Sequence, residues 1–198
     1  MEIDYLPLIS YVCITTFTPG PNNITSASLG TLYGYRKSFP FILGVGWGFF
    51  LILLMASGIS SALLRTFPAL EPALRMGGGA YILWLAWKIF RATYDGENQK
   101  ERPVLGFWKA TFLQLLNPKG VIYALTLYAT FLSPLAGHYD LILFSGVLLG
   151  GVAILSCSLW ALFGAGLHHF LNNPRLQRGV NTLLALLLVY TAASLMFL

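Results

Sequence analysis

Lys119 stands near the middle of an apolar stretch, about 12 residues from either end, within Asn117-Pro118-Lys119-Gly120; far upstream, another apolar stretch carries Thr18-Pro19-Gly20-Pro21-Asn22-Asn23. An ammonium at the centre of a membrane helix costs about 2.5–3.5 kcal/mol on insertion scales. At that depth its stem cannot easily carry the charge to an interface. The seven acidic residues, Glu2, Asp4, Glu71, Asp95, Glu97, Glu101 and Asp140, all fall in loops or at the ends of apolar stretches. No carboxylate of the chain is therefore a permanent partner. Two readings remain: an anionic group on a substrate completes the pair, or Lys119 is structural and binds carbonyl oxygens of broken helices.

Proline supplies the other half of the chemistry. It has no N–H and pushes away the carbonyl four residues earlier, so Pro19 and Pro21 release those of Thr15 and Phe17, and Pro118 releases that of Gln114. Freed carbonyls suit an ammonium group or a cation. Beyond each break, Asn22 or Asn23 and Asn117 are good N-cap residues, with Pro118 at the favourable first helical position. Restarted helices aim N–H groups and positive dipole ends at an anion. A site with both characters fits a zwitterion, of which an amino acid is the simplest. The candidate substrate-binding residues are Thr18, Pro19, Gly20, Pro21, Asn22, Asn23, Gln114, Asn117, Pro118 and Lys119. The polar side chains of Thr18, Asn22, Asn23, Gln114 and Asn117 either orient the ligand or satisfy freed backbone groups.

The elements that must position these residues are membrane helices. With 57% hydrophobic residues, 10% charged and a mean hydropathy of +0.71, the chain holds more apolar side chain than a soluble domain of this size buries. Stretches near the ~20 residues that span a bilayer run over about 6–31, 39–64, 69–90, 107–132, 141–167 and 179–198. The expected fold is an all-α integral membrane protein of six transmembrane helices, a single transport domain over 1–198. Three features recur in order in the two halves: a helix broken by proline near mid-span, a helix opening with spaced glycines, and an unbroken third helix. Three spans per half force opposite orientations, so the expected architecture is a 3+3 inverted repeat with helices 1 and 4 broken at mid-membrane. Repeat one covers about 1–92, a charged cytoplasmic linker about 93–106 and repeat two about 107–198. Inverted repeats with paired helix breaks are the architecture of alternating access. Gly44-x-x-x-Gly48 and Gly146-x-x-x-Gly150 are read as close helix contacts, and Gly77-Gly78-Gly79 and the Gly164-Ala165-Gly166 turn as serving likewise or loosening their helices.

The net charge of +5 does not point to nucleic acid, because of where it lies. Arg36, Lys37, Lys88, Arg91, Lys100, Arg102, Lys109, Arg175 and Arg178 fall on one side of the expected spans, against Arg65 and Arg75 on the other. This asymmetry places the basic loops in the cytoplasm and both termini outside. The N-terminal Met1-Glu2-Ile3-Asp4 is acidic where a secretory signal is basic, so the first span is read as retained. Trp84, Trp87, Trp108, Tyr94 and Tyr139 are candidate interface anchors. His138, His168 and His169 fall at helix ends, no His-Glu-x-x-His is present, and neither a metal nor a cofactor is expected. An intramembrane serine protease lacks its Gly-x-Ser-Gly nucleophile. The remaining alternative is a membrane thiol–disulfide electron conduit, which needs reactive cysteines on paired helices; Cys13 and Cys157 fall in spans 1 and 5, which do not correspond. The expected partners are an amino-acid substrate and membrane lipids, with the number of subunits, a homo-oligomer included, left open.

Pro19-Gly20-Pro21-Asn22, Asn117-Pro118-Lys119 and Gly79-Ala80-Tyr81-x-x-Trp84-Leu85, with six spans in about 200 residues, resemble the lysine exporter (LysE/RhtB) family of bacterial amino-acid exporters along the whole chain. Thr18 to Ile24, Trp84-Leu85-Ala86-Trp87-Lys88-Ile89 and Leu186-Leu187-Leu188-Val189-Tyr190 look most like its cysteine/O-acetylserine branch. The resemblance implies efflux of a small neutral amino acid across the bacterial inner membrane, driven by the proton motive force. One departure matters: Phe49 stands where many members of the family carry an acidic residue after the glycine pair. No carboxylate then serves as proton carrier, which leaves Lys119, the substrate itself, or uncoupled facilitated diffusion.

Overall fold

The computed structural model describes residues 3, 5–66, 70–91, 105–167 and 174–197. Glu2, Asp4, Tyr94, His168, His169 and all of the charged linker before Leu105 lie outside the described residues. Among the described residues the chain is all-helical. The helices are α1 (Tyr5–Phe17), α2 (Pro21–Thr66), α3 (Leu70–Phe90), α4 (Phe107–Leu115), α5 (Pro118–Thr126), α6 (Tyr139–Leu167) and α7 (Pro174–Phe197). A π-helical turn over Leu127–Phe131 and a 3-10 turn over Ser133–Leu135 follow α5.

Where the sequence suggests a loop after residue 31, α2 continues. It is two helices joined at Gly34, whose φ of 77° and ψ of 165° are not helical. Glycine has no Cβ to forbid that φ, so one residue turns the chain. The helical run also stops after Phe17 and restarts at Pro21, and stops after Leu115 and restarts at Pro118. Each restart opens on a proline, whose absent N–H is one that a first helical residue would leave unbonded anyway.

Close backbone contact between helices organises the packing. A Cβ built on Gly30 would lie 2.0 Å from the Ala161 carbonyl oxygen of α6, and one on Gly164 2.0 Å from that of Ala27 on α2. Thr31 Oγ1 adds a 2.9 Å bond to the Gly164 carbonyl. Gly164 thus serves the expected close packing, but from inside α6 at a helix crossing and not from a turn. Gly44 and Gly48 seat α4 against α2 in the same way, with Phe107 O 2.2 Å and Thr111 O 2.9 Å from their hypothetical Cβ positions. Where the surroundings are as apolar as the side chains, association comes from such close packing and dispersion rather than from hydrophobic burial.

The α3–α7 pair is joined to this body through Ile24, packed with Ile82, Leu184 and Leu188. Outer faces carry exposed Leu6, Ile9, Phe144, Val147, Leu155 and Tyr190, the apolar exterior of a chain whose surroundings are lipid. Pro21–Gly58 and Tyr139–Gly166 each contain an 18-residue window of mean hydropathy 2.2, long and apolar enough to cross a bilayer. Trp84, Trp87, Trp108 and Tyr139 are all exposed.

Candidate functional site

The two interruptions meet. Lys119 reaches back from the first turn of α5 and its Nζ donates to the carbonyls of Thr18 and Pro19, each at 3.2 Å. Gly20 makes room for it: a Cβ there would sit 3.0 Å from both Lys119 Cδ and Nζ. Of the two readings open for Lys119, the carbonyl-bound one describes this state. Two hydrogen bonds from a charged donor, about 1.5–3 kcal/mol each, match the ~2.5–3.5 kcal/mol insertion cost without a permanent anion. An ammonium has three N–H donors, so the two carbonyls leave one for a ligand.

The end of α1 is held by side chains from four other helices. Thr16 O accepts from Asn23 Nδ2 and Ser156 Oγ, both at 2.9 Å. Phe17 O accepts from Trp160 Nε1 at 3.3 Å. Thr18 O also accepts from Asn23 Nδ2 at 3.0 Å, and Pro19 O from Thr191 Oγ1 at 2.7 Å. Helix ends leave their last carbonyls unbonded; here the protein meets them itself. Sequence reasoning does not reach Ser156, Trp160 or Thr191. Their signal is faint: a hydroxyl or an indole N–H in a mostly apolar span, each needing an acceptor.

The capping expectations hold at one break and fail at the other. Asn117 caps α5, its side chain accepting from Lys119 N at 3.2 Å, with Pro118 next. Its Nδ2 donates to Gln114 Oε1 at 3.1 Å, and Asn22 Nδ2 donates to the same oxygen. Asn22 and Asn23 do not cap α2, because they lie in its first turn after Pro21. The cap position belongs to Gly20, whose carbonyl accepts from Ile24 N at 2.9 Å and which has no side chain to offer. The expected release of the Gln114 carbonyl also needs correcting, since Asn117 N takes it at 3.0 Å. Asn117→Ala should therefore cost about 1 kcal/mol of stability, read as a lowered melting temperature in detergent, with Asn117→Ser close to the parent.

These contacts enclose a cavity of about 60 Å³ lined by Gly20, Pro21, Asn22, Asn23, Gln114, Asn117 and Lys119 from the sequence candidates. Thr18, Pro19 and Pro118 do not line it; the Thr18 hydroxyl instead donates to Ile14 O within α1. The opposite wall is Val45, Phe49, Tyr123, Ala153 and Cys157. Phe49 stacks on Tyr123 with ring centroids 5.1 Å apart, so the position of the expected acidic residue is an aromatic wall. Cys157 Sγ lies 3.5 Å from Asn23 Oδ1, and both Cys157 and the exposed Cys13 are free thiols.

Chemically the cavity is electropositive on one side. Among the described residues Lys119 is the only charged one in its lining, and from α5 its ammonium lies beside Gly20 at the start of α2, where the Asn22 and Asn23 N–H groups have no partner within the helix and the dipole is positive. Since one water needs about 10–15 Å³, the volume takes on the order of four to six water-sized groups.

The family model described as LysE type translocator matches residues 13–198. The cysteine/O-acetylserine efflux protein of Salmonella typhimurium (strain LT2) is 38% identical over 189 residues, 95% of each chain. Those of Salmonella typhi and Escherichia coli (strain K12) are 37% and 35% identical over 189 and 190 residues, again 95% of each. No solved structure matches the chain. With one family model running from residue 13 to the last and relatives this similar over nearly the whole length, the chain belongs to the LysE type translocator family.

Proposed function

We propose that the chain exports a small neutral amino acid, of the cysteine or O-acetylserine kind named for its relatives or else homoserine or threonine, across the bacterial inner membrane. The observation that carries this is the cavity: one ammonium and one uncapped helix N-terminus converge on it, with no acidic residue in its wall. The substrate carboxylate takes the third N–H of Lys119 together with the first-turn amides of α2. Its ammonium faces the carbonyl of Thr15, a lining residue that Pro19 deprives of its helical donor. The side chain lies against Phe49, Tyr123, Ala153 and Cys157. A second ammonium, as on a basic amino acid, would meet Lys119 in this cavity with no carboxylate in the described lining to offset it, which favours a neutral side chain.

The architecture that goes with this function is the 3+3 inverted repeat, with the breaks at Pro19 and Pro118 at mid-membrane, both termini periplasmic and transport by alternating access. The one-sided distribution of Arg and Lys supports that orientation. The proton motive force supplies the energy, and with Phe49 in place of a carboxylate, protons move on Lys119 or with the substrate. The thiol–disulfide conduit gains no support, since Cys13 and Cys157 are free thiols on different elements.

Inside-out vesicles test the reading directly. A panel of amino acids is offered with and without a proton gradient. Uptake of small neutral amino acids that collapses with the gradient is the expected result. Uptake confined to basic amino acids, or of none, overturns the proposal.

A further inference from the structure

A second hollow, of about 270 Å³, opens between α3 and α7, away from the substrate cavity. It exists because Ala86 and Ala185, both buried, form its floor while larger neighbours rise around it. Leu83, Trp87 and Phe90 form one wall, and Leu186 and Val189 the other, all five exposed to the surroundings. Among the described residues Thr182 is the one hydroxyl in the lining, and it donates to the Arg178 carbonyl at 2.7 Å. The described lining is thus almost wholly apolar, and an apolar hollow does not hold water. From residue 83 to residue 90 it runs roughly 10 Å along α3, about two-thirds of a ~15 Å hydrocarbon leaflet.

One end of this groove is cationic. Arg91 follows Phe90, and its guanidinium carbon stands 4.7 Å from the centroid of the Trp87 ring. Arg178 lies one turn before Thr182 on the same face of α7, with its side chain exposed. The hollow pairs the C-terminal part of α3 with the N-terminal half of α7, so both arginines belong to the same end. Asp140, at the start of α6, belongs to the opposite side of the expected spans, and Asp95, Glu97 and Glu101 of the linker lie outside the described residues. An apolar slot ending in two cations matches one class of membrane molecule. We propose that the α3–α7 groove binds an anionic phospholipid, with an acyl chain between Trp87 and Leu186 and the phosphate between Arg91 and Arg178. Basic pockets between helices at the cytoplasmic surface select such headgroups. The ligand also sits on the helix that carries Thr191 to the Pro19 carbonyl, so it braces the helix that holds the end of α1.

Trp87 makes the site measurable. The purified protein is reconstituted in phosphatidylcholine vesicles containing a brominated-chain lipid, either phosphatidylglycerol or phosphatidylcholine, and the fluorescence lost on Trp87→Phe isolates the Trp87 signal. Trp87 quenching should reach its midpoint at a mole fraction of brominated phosphatidylglycerol on the order of tenfold lower than of brominated phosphatidylcholine, as expected for two interfacial cations. Arg91→Gln with Arg178→Gln should abolish that preference. Ala185→Leu should abolish it too, by filling the groove with both arginines in place. Equal quenching by the two lipids overturns the proposal, as does a preference that survives the double arginine change. If a second copy of the chain fills the groove instead, Trp87 is shielded from both lipids in a way that depends on protein density, and the proposal also fails.

Discussion

Lys119→Met should cut export steeply while leaving a folded, extractable protein. Each carbonyl that Lys119 touches keeps another donor, Asn23 Nδ2 on Thr18 O at 3.0 Å and Thr191 Oγ1 on Pro19 O at 2.7 Å. No buried carbonyl is orphaned. Methionine also spares the chain an ammonium inside the membrane, which lowers the insertion cost by about 2.5–3.5 kcal/mol. What disappears is the only charge in the cavity lining. A hydrogen bond to a charged group is worth about 1.5–3 kcal/mol, so efflux in reconstituted vesicles should fall on the order of 10- to 100-fold. Thr191→Val separates the two roles of Lys119, because it removes a donor from Pro19 O without changing the cavity charge; it should keep most of the activity. Full transport by Lys119→Met would take Lys119 out of substrate binding.

The second large effect lies away from the cavity. Gly164→Val places a side chain where even a Cβ would be 2.0 Å from the Ala27 carbonyl oxygen. The obstacle is backbone, which cannot swing aside as a side chain can, so α2 and α6 must separate by more than 1 Å and strain the bond from Thr31 to Gly164 O. Ordinary overpacking costs about 1–3 kcal/mol, and this change should exceed that range. Fluorescence-detected size exclusion after heating should show little folded protein. Gly30→Val should behave alike, facing Ala161 O at the same 2.0 Å. Gly151→Ala and Gly166→Ala are the controls, since nothing lies within 4 Å of a Cβ at either. If Gly164→Val melts with those controls, the close crossing is not what holds α2 to α6.

Much of this site was legible in the chain because proline and lysine are costly inside an apolar helix and so carry information wherever they occur. Pro19, Pro21, Pro118, Asn117 and Lys119 could be read from local rules, and the helical run is interrupted beside each proline pair or motif. The fate of the freed carbonyls could not. Which donor meets Pro19 O depends on α7 returning beside α1, and Thr191 looks like any threonine in an apolar run until that packing is known. Local rules give Asn22 and Asn23 a capping role because capping depends on the neighbouring residues alone. Their actual partners, Gln114 Oε1 and the α1 carbonyls, come from the way the interruptions meet. Gly34 was missed for the opposite reason: a glycine among tyrosines gives no local hint that its φ will be 77°.

The grip on the end of α1 separates chain order from mechanics. Lys119, Ser156, Trp160 and Thr191 all follow residue 107 in the sequence, while Asn23 alone precedes it. The tip of α1 is thus fastened chiefly to the C-terminal half of the molecule. α2 is fastened to that half as well, with Gly30 and Gly164 at its crossing with α6 and Gly44 and Gly48 against α4, so the N-terminal helices interlock with the C-terminal ones instead of swinging as a separate body.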